Sequence, residues 1–174
     1  MAVDLTKNRK LDGWQKDILA TACYQAALVQ RDYGVGFPPA LTPVTVAQFL
    51  LESSWGKLSM GVNNYFGMKA VGDEPFITKQ TREYVNGEQE IVFARFRKFD
   101  SMAACFAAHA ELIMHGKRLD QPTLVYAKAL SFPNDPRAFA DALTGIYATD
   151  PAYGAKLIAT MEDRGLIPLL EVPT

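Results

Sequence analysis

One carboxylate stands out by its surroundings. Glu52 lies in Phe49-Leu50-Leu51-Glu52-Ser53-Ser54-Trp55, at the end of a run whose other groups are mainly apolar. A carboxylate near a helix C-terminus meets an unfavourable dipole, and apolar neighbours disfavour its charge further. Both effects raise its pKa, as a general acid working near neutral pH requires. Spacing alone also admits, and on its own favours, a helix-end glutamate turned to water. Glu83 is the natural second carboxylate. Strand alternation puts Thr81, Glu83 and Val85 on one face and Arg82 and Tyr84 on the other; its plain alternative is a solvated hairpin residue. Two carboxyl groups flanking a bond are the usual equipment for glycoside hydrolysis. Glu52 and Glu83 stand on different elements that a folded cleft could bring face to face.

Other chemistries fit worse. The two histidines, His109 and His115, come with no HExxH or CxxC spacing, so no metal is expected. There is no GxSxG elbow and no glycine-rich phosphate loop, and no cofactor is expected. His109 is four residues after Cys105, but catalytic Cys–His pairs usually come from separate elements. Cys23 and Cys105 both fall in apolar periodic stretches and read as two buried thiols. The formal charge of −1, from 18 basic and 19 acidic residues, argues against nucleic acid as a partner. Recognition of any polymer must then be local, in a groove. No apolar run approaches the ~18 residues of a membrane span, so no stable membrane insertion is expected.

Several elements must position these residues. Asp12 as N-cap and Trp14, Ile18, Ala22, Gln25, Ala26 and Val29 at helical spacing predict a helix over 12–32. Gly34 to Pro39 makes a turn. Thr42-Pro43 then predicts the start of a second helix, running to Ser53 with Glu52 in its last turn. Residues 56–78 lack clean periodicity and read as a structured loop, long enough to suggest use. Thr81–Val85, Asn86-Gly87 and Gln89–Phe96 read as a hairpin. Helical spacing returns over 101–116, then in shorter segments near 122–131, 135–144 and 153–164, divided by Pro133, Pro136 and Pro151. With 174 residues, 49% hydrophobic and 21% charged, the chain is expected to form one domain over 1–174. Its class is α+β, predominantly helical, with one inserted hairpin.

At Glu52 the residues also meet a family pattern. Phe49 to Gly56 (FLLESSWG), followed by Asn63 to Ala70 (NNYFGMKA), resembles the bacterial and phage peptidoglycan endo-β-N-acetylglucosaminidases, glycoside hydrolase family 73. That family includes the glucosaminidase domain of the flagellar protein FlgJ and large autolysins. Thr81-Arg82-Glu83-Tyr84 with Asn86-Gly87-Glu88 is similar to the family's hairpin. Phe96 to Ser101 (FRKFDS) and Tyr147 to Pro151 (YATDP) with Tyr153 and Lys156 match further elements in order, from about residue 14 to 165. The resemblance implies a lysozyme-like fold with a small β-hairpin lobe. It implies hydrolysis of the β-1,4 bond between N-acetylglucosamine and N-acetylmuramic acid. Glu52 would be the general acid and Glu83 the distal carboxylate, with Tyr147 supporting the sugar at the cleavage point. Asn64, Tyr65 and Phe66, with Tyr153, would contact substrate, and Trp55 would hold the helix end against the core.

The alternatives are a muramidase or lytic transglycosylase on the same fold, and a non-catalytic wall-binding protein. The partner expected is the peptidoglycan glycan strand, met by a monomer. Met1 to Lys10 leads into Leu11-Asp12-Gly13-Trp14, which does not resemble a signal peptide, and no separate cell-wall-binding domain is expected. That points to a phage or prophage endolysin, made in the cytoplasm and reaching the cell wall after holin-mediated release. A flagellar or secretion-associated hydrolase, or a piece of a longer chain, is the other reading. Residues 57–62 and 71–80 look short for the family, which suggests a trimmed cleft wall. Residues 117–137, with Phe132 to Pro136, look extended.

Overall fold

A computed structural model describes residues 8, 10–85, 88–116 and 123–167, without the side chains of 82–85 and 88–90. The Asn86-Gly87 turn lies outside the described residues. The elements are α1 (Gly13–Tyr33), α2 (Leu41–Glu52), β1 (Phe76–Val85), β2 (Glu88–Arg97), α3 (Met102–His115), α4 (Ala127–Leu130), α5 (Pro136–Asp141) and α6 (Tyr153–Asp163). Helices dominate, and β1 and β2 form a single antiparallel pair. The architecture is lysozyme-like α+β.

The second helix organises the rest. Every residue from Leu41 to Leu50 is buried, and α1, α3, α5 and α6 pack around it. A helix apolar on all sides has to sit in the middle of a domain. Leu41, Val44, Val46, Phe49 and Leu50 are each at most 2% exposed, and each such side chain contributes roughly 1.5–3 kcal/mol on burial. The helix begins earlier than the Thr42-Pro43 punctuation predicts. Ala40 is the N-cap, and the Leu41 N–H donates to Pro38 O at 2.9 Å. Thr42 is therefore inside the helix, where its hydroxyl donates to Gln30 Oε1 at 2.7 Å. Pro43 still falls in the first turn, where no intrahelical donor is lost.

In α1 the start at Asp12 holds, with Gln15 Oε1 accepting from the Asp12 N–H at 3.0 Å. The inner stripe is Leu19, Ala22, Cys23, Ala26 and Val29. Trp14 is left at the edge, 41% exposed. Ser101 caps α3 by accepting from Ala104 N–H at 3.1 Å. Asp135 caps α5 by accepting from Arg137 and Ala138, both at 3.0 Å. Both strands are longer than expected. Phe76 pairs with Arg97 and Gln80 with Phe93, so residues 76–78, read as loop, extend β1. The pairing itself, not periodicity, makes that stretch a strand. Among the described residues, the segments expected over 122–131 and 135–144 hold the short helices α4 and α5.

Among the described residues no helix is long and apolar enough to cross a membrane.

Candidate active site

Glu52 is the last residue of α2 and Ser53 its C-cap. The chain then turns through three consecutive left-handed residues, Ser54 (φ 48°), Trp55 (φ 63°) and Gly56 (φ 75°). The Trp55 N–H donates to Leu50 O at 3.0 Å, and the Gly56 N–H to Ser53 Oγ at 2.7 Å. A Cβ on Gly56 would lie 3.1 Å from Phe49 Cζ and 3.3 Å from Ile18, so the turn requires glycine by both conformation and space. Trp55 meets Trp14 edge to face at 6.5 Å, and the Arg164 guanidinium lies 5.4 Å over its ring. The tryptophan thus ties the end of the glutamate's helix to α1 and to the residue that ends α6.

The Glu52 side chain is solvent-exposed, yet its pKa is raised. Burial is the larger cause, and a hydrogen bond from Tyr153 opposes it. Glu52 is therefore open to solvent on one side and crowded by protein behind. Tyr153 Oη donates to Glu52 Oε1 at 2.7 Å, and Gln48 Nε2 donates to Tyr153 Oη at 3.1 Å. Burial and the charge of Glu52 push the Tyr153 phenol up, so it stays a donor.

The start of α6 is built to hold this tyrosine. Asp150 Oδ1 accepts from the Ala152 N–H at 2.9 Å, and Lys156 pairs with Asp150 at 2.5 Å. Gly154 lets α6 approach α5: a Cβ there would stand 2.7 Å from Asp141 Cα and 2.8 Å from Thr144 Oγ1.

The other site residues separate into groups. Tyr147 stacks on Tyr153, but its hydroxyl donates to Phe66 O at 3.3 Å. Burial pushes its phenol well above the ordinary value. Asn64 is fully buried. It donates to Met68 O (2.8 Å) and Arg97 O (2.9 Å) and accepts from the Met68 N–H (3.0 Å). Its neighbour Asn63, at φ 52°, donates to Phe99 O at 2.9 Å. Phe66 is 4% exposed and stacks on His109 at 4.0 Å. Asn64 and Phe66 were expected to line a cleft; instead they fasten the loop after α2 to the hairpin base and the core. Their burial leaves neither side chain a face for a sugar, and of the three only Tyr65 is half-exposed. Tyr153, expected as a substrate contact, is 5% exposed and addresses the glutamate instead. Glu83 sits in β1 opposite Glu90; its side chain lies outside the described residues.

Gln48 was missed, although it carries a sequence signal. It is the amide one turn before Glu52 in an otherwise apolar helix, LTPVTVAQFLLE, so the two share a face.

The Cys–His alternative has no thiolate. Burial raises the Cys105 thiol to about 11 and lowers His109 to about 3. Both cysteines are free and buried. Among the described residues no three His, Cys, Asp or Glu side chains converge as a metal site would need.

With an accessible, partly desolvated glutamate at the end of a buried helix and a small antiparallel hairpin between α2 and α3, the fold is lysozyme-like α+β. The chain belongs to the glucosaminidase family, described as mannosyl-glycoprotein endo-beta-N-acetylglucosaminidase, whose pattern matches residues 25–166. It is 33% identical over 124 residues to the exo-glucosaminidase LytG of Bacillus subtilis, covering 70% of this chain and 43% of that protein. It is likewise 33% identical over 120 residues to a probable N-acetylmuramidase of Lactococcus lactis subsp. cremoris, covering 66% of this chain and 26% of the relative. The chain thus spans less than half the length of these curated relatives. Among solved structures, the glycoside hydrolase domain of Salmonella typhimurium FlgJ, C-terminally truncated, superposes with a TM-score of 0.62 at 29% identity. That match covers 85% of this chain and 95% of that one.

Proposed function

We propose that the protein is a peptidoglycan hydrolase, an endo-β-N-acetylglucosaminidase acting as a monomer on glycan strands. Glu52 delivers a proton to the oxygen of the bond between N-acetylglucosamine and N-acetylmuramic acid. The observation that carries this reading is the Glu52 carboxyl itself: open to solvent, raised in pKa by its surroundings, and held at one oxygen by Tyr153. A sugar alkoxide is a poor leaving group and needs its proton as the bond breaks. Glu83, on the hairpin lobe, is the second carboxyl group, and Tyr147 supports the sugar beside Tyr153.

Mass spectrometry of digested wall tests the bond. Reducing-end N-acetylglucosamine is expected. Reducing-end or 1,6-anhydro-muramic acid would establish the second reading, a muramidase or transglycosylase, which the Lactococcus relative's name favours. The setting we infer is a phage or prophage lysis enzyme that reaches the wall through a membrane pore. Expression in the cytoplasm should then lyse cells only together with a pore-forming protein, and lysis without one would overturn it.

A further inference from the structure

Gln48 is fully buried in α2, and its amide touches no position where a substrate could lie. Its Nε2 donates to Tyr153 Oη at 3.1 Å, and Tyr153 Oη stands 2.7 Å from Glu52 Oε1. We propose that Gln48 is a positioning residue: by donating to Tyr153 it commits that hydroxyl to Glu52 Oε1, and so leaves Oε2 to carry the transferable proton. The inference rests on the reading of Glu52 as general acid.

The argument is one of counting protons. A tyrosine hydroxyl has one hydrogen and accepts through its lone pairs. A carboxylate can only accept, so when Glu52 is ionised the Tyr153 hydrogen has to point at Oε1. Gln48 must then present its N–H, which occupies the phenol oxygen from the other side. When Glu52 is protonated the same arrangement persists with the proton on Oε2, since a proton on Oε1 would oppose the Tyr153 hydrogen. Without Gln48 the phenol could instead accept from a protonated Oε1, and the acid would hold its proton toward the protein interior. During reaction the Oε2–H bond breaks as the glycosidic oxygen takes the proton, and Glu52 becomes a carboxylate. The Tyr153 hydrogen bond then becomes charge-assisted and strengthens. An interaction stronger in the transition state than in the ground state raises kcat and leaves KM alone.

The burial of Gln48 supports a role beyond packing. Its Oε1 is buried with no hydrogen-bond partner among the described residues, an arrangement that costs stability. An apolar side chain of similar shape would avoid that cost.

Gln48→Met keeps the length of the side chain and removes the donor. A loss of one hydrogen bond that strengthens in the transition state predicts about a five-fold fall in kcat with KM unchanged. The basic limb of the pH profile should also move to higher pH, because Glu52 loses support for its charge. In a Tyr153→Phe background the same substitution should add nothing, since there is no hydroxyl left to orient. A folded Gln48→Met protein with unchanged kcat and pH limb, or with its full effect retained beside Tyr153→Phe, overturns the proposal. If Gln48→Met does not fold, NMR of the unaltered protein decides. The Gln48 side-chain amide protons should shift with pH in step with the Glu52 carboxyl, and resonances that ignore the Glu52 titration overturn the proposal. That titration needs no turnover, so it remains separate from the test of Glu52 as the acid.

Discussion

Tyr147 and Tyr153 lie ring on ring, with centroids 5.7 Å apart and planes at 11°, yet their hydroxyls serve different partners. Tyr153 addresses the Glu52 carboxyl and Tyr147 the Phe66 carbonyl. Phenylalanine at the two positions should therefore give different phenotypes. Tyr153→Phe removes a donor to Glu52, raises its pKa, moves the basic limb of the pH–rate profile upward and lowers kcat. Tyr147→Phe removes a long bond to a loop carbonyl, worth about 1 kcal/mol or less, and should slow turnover of purified wall moderately without moving the limb. Equal shifts in the two variants would contradict the separation.

Glu52→Gln should abolish hydrolysis, because an amide has no proton to give while it keeps the side-chain size. The loss expected is ~10²-fold or more. Stability should move the other way. The folded-state pKa of Glu52 lies above its ordinary value, so its favourable contribution belongs to the protonated form. That contribution is present at low pH and lost as pH rises through the folded-state pKa. At neutral pH the substitution should leave the melting temperature unchanged or raise it. Turbidity loss beside a thermal melt checks both, and a folded variant with more than about a tenth of normal activity would remove the general-acid role.

How much of this was legible varies along the chain. Glu52 stands out in the sequence as the candidate acid because its peculiarity is local, a carboxylate in an apolar helix end. The partner of its Oε1 could not, because Tyr153 is 101 residues away and which tyrosine reaches the glutamate depends on how closely α6 docks at Gly154. The Asn63-Asn64-Tyr65-Phe66 run was visible as a motif but not as a staple. Polar and aromatic side chains in a loop look the same in sequence whether they face a ligand or the protein interior. The hairpin announced itself through Asn86-Gly87, while its base did not, since Phe76–Gln80 shows no alternation that separates a strand from a loop.

Asn64→Ala distinguishes staple from substrate contact. The substitution strips partners from two carbonyls and one N–H at a fully buried site. The cost should be about 3 kcal/mol or more, since each unmet buried group costs ~1–3 kcal/mol. In a chain of this size that lowers the melting temperature by several degrees, and amide exchange should quicken around residues 59–69 and 95–99. A variant of normal stability whose KM alone rises would return Asn64 to the sugar-binding surface.

Acid should destabilise the fold through His109. The ring is fully buried, and burial lowers its pKa from 6.5 to about 3. The unfolded chain therefore binds a proton that the folded one refuses. The stabilisation is complete above pH 6.5 and is lost as pH falls toward 3, by up to about 1.4 kcal/mol per pH unit. Melting curves across that window should fall less steeply for His109→Gln than for the unaltered protein. Parallel curves would mean that His109 takes up its proton without unfolding.

The burial of α2 has a bearing on how the protein dies with heat. Glu52 rides on the segment that α1, α3, α5 and α6 cover, so no outer piece can peel away and leave the helix standing with its glutamate in register. A chain that has lost α1 or α6 exposes Leu41–Leu50 to water and loses that helix with it. On the proposed function, activity is thereby tied to the cooperative unit that holds α2, and a partly melted form should not cut. Inactivation and unfolding should trace one curve.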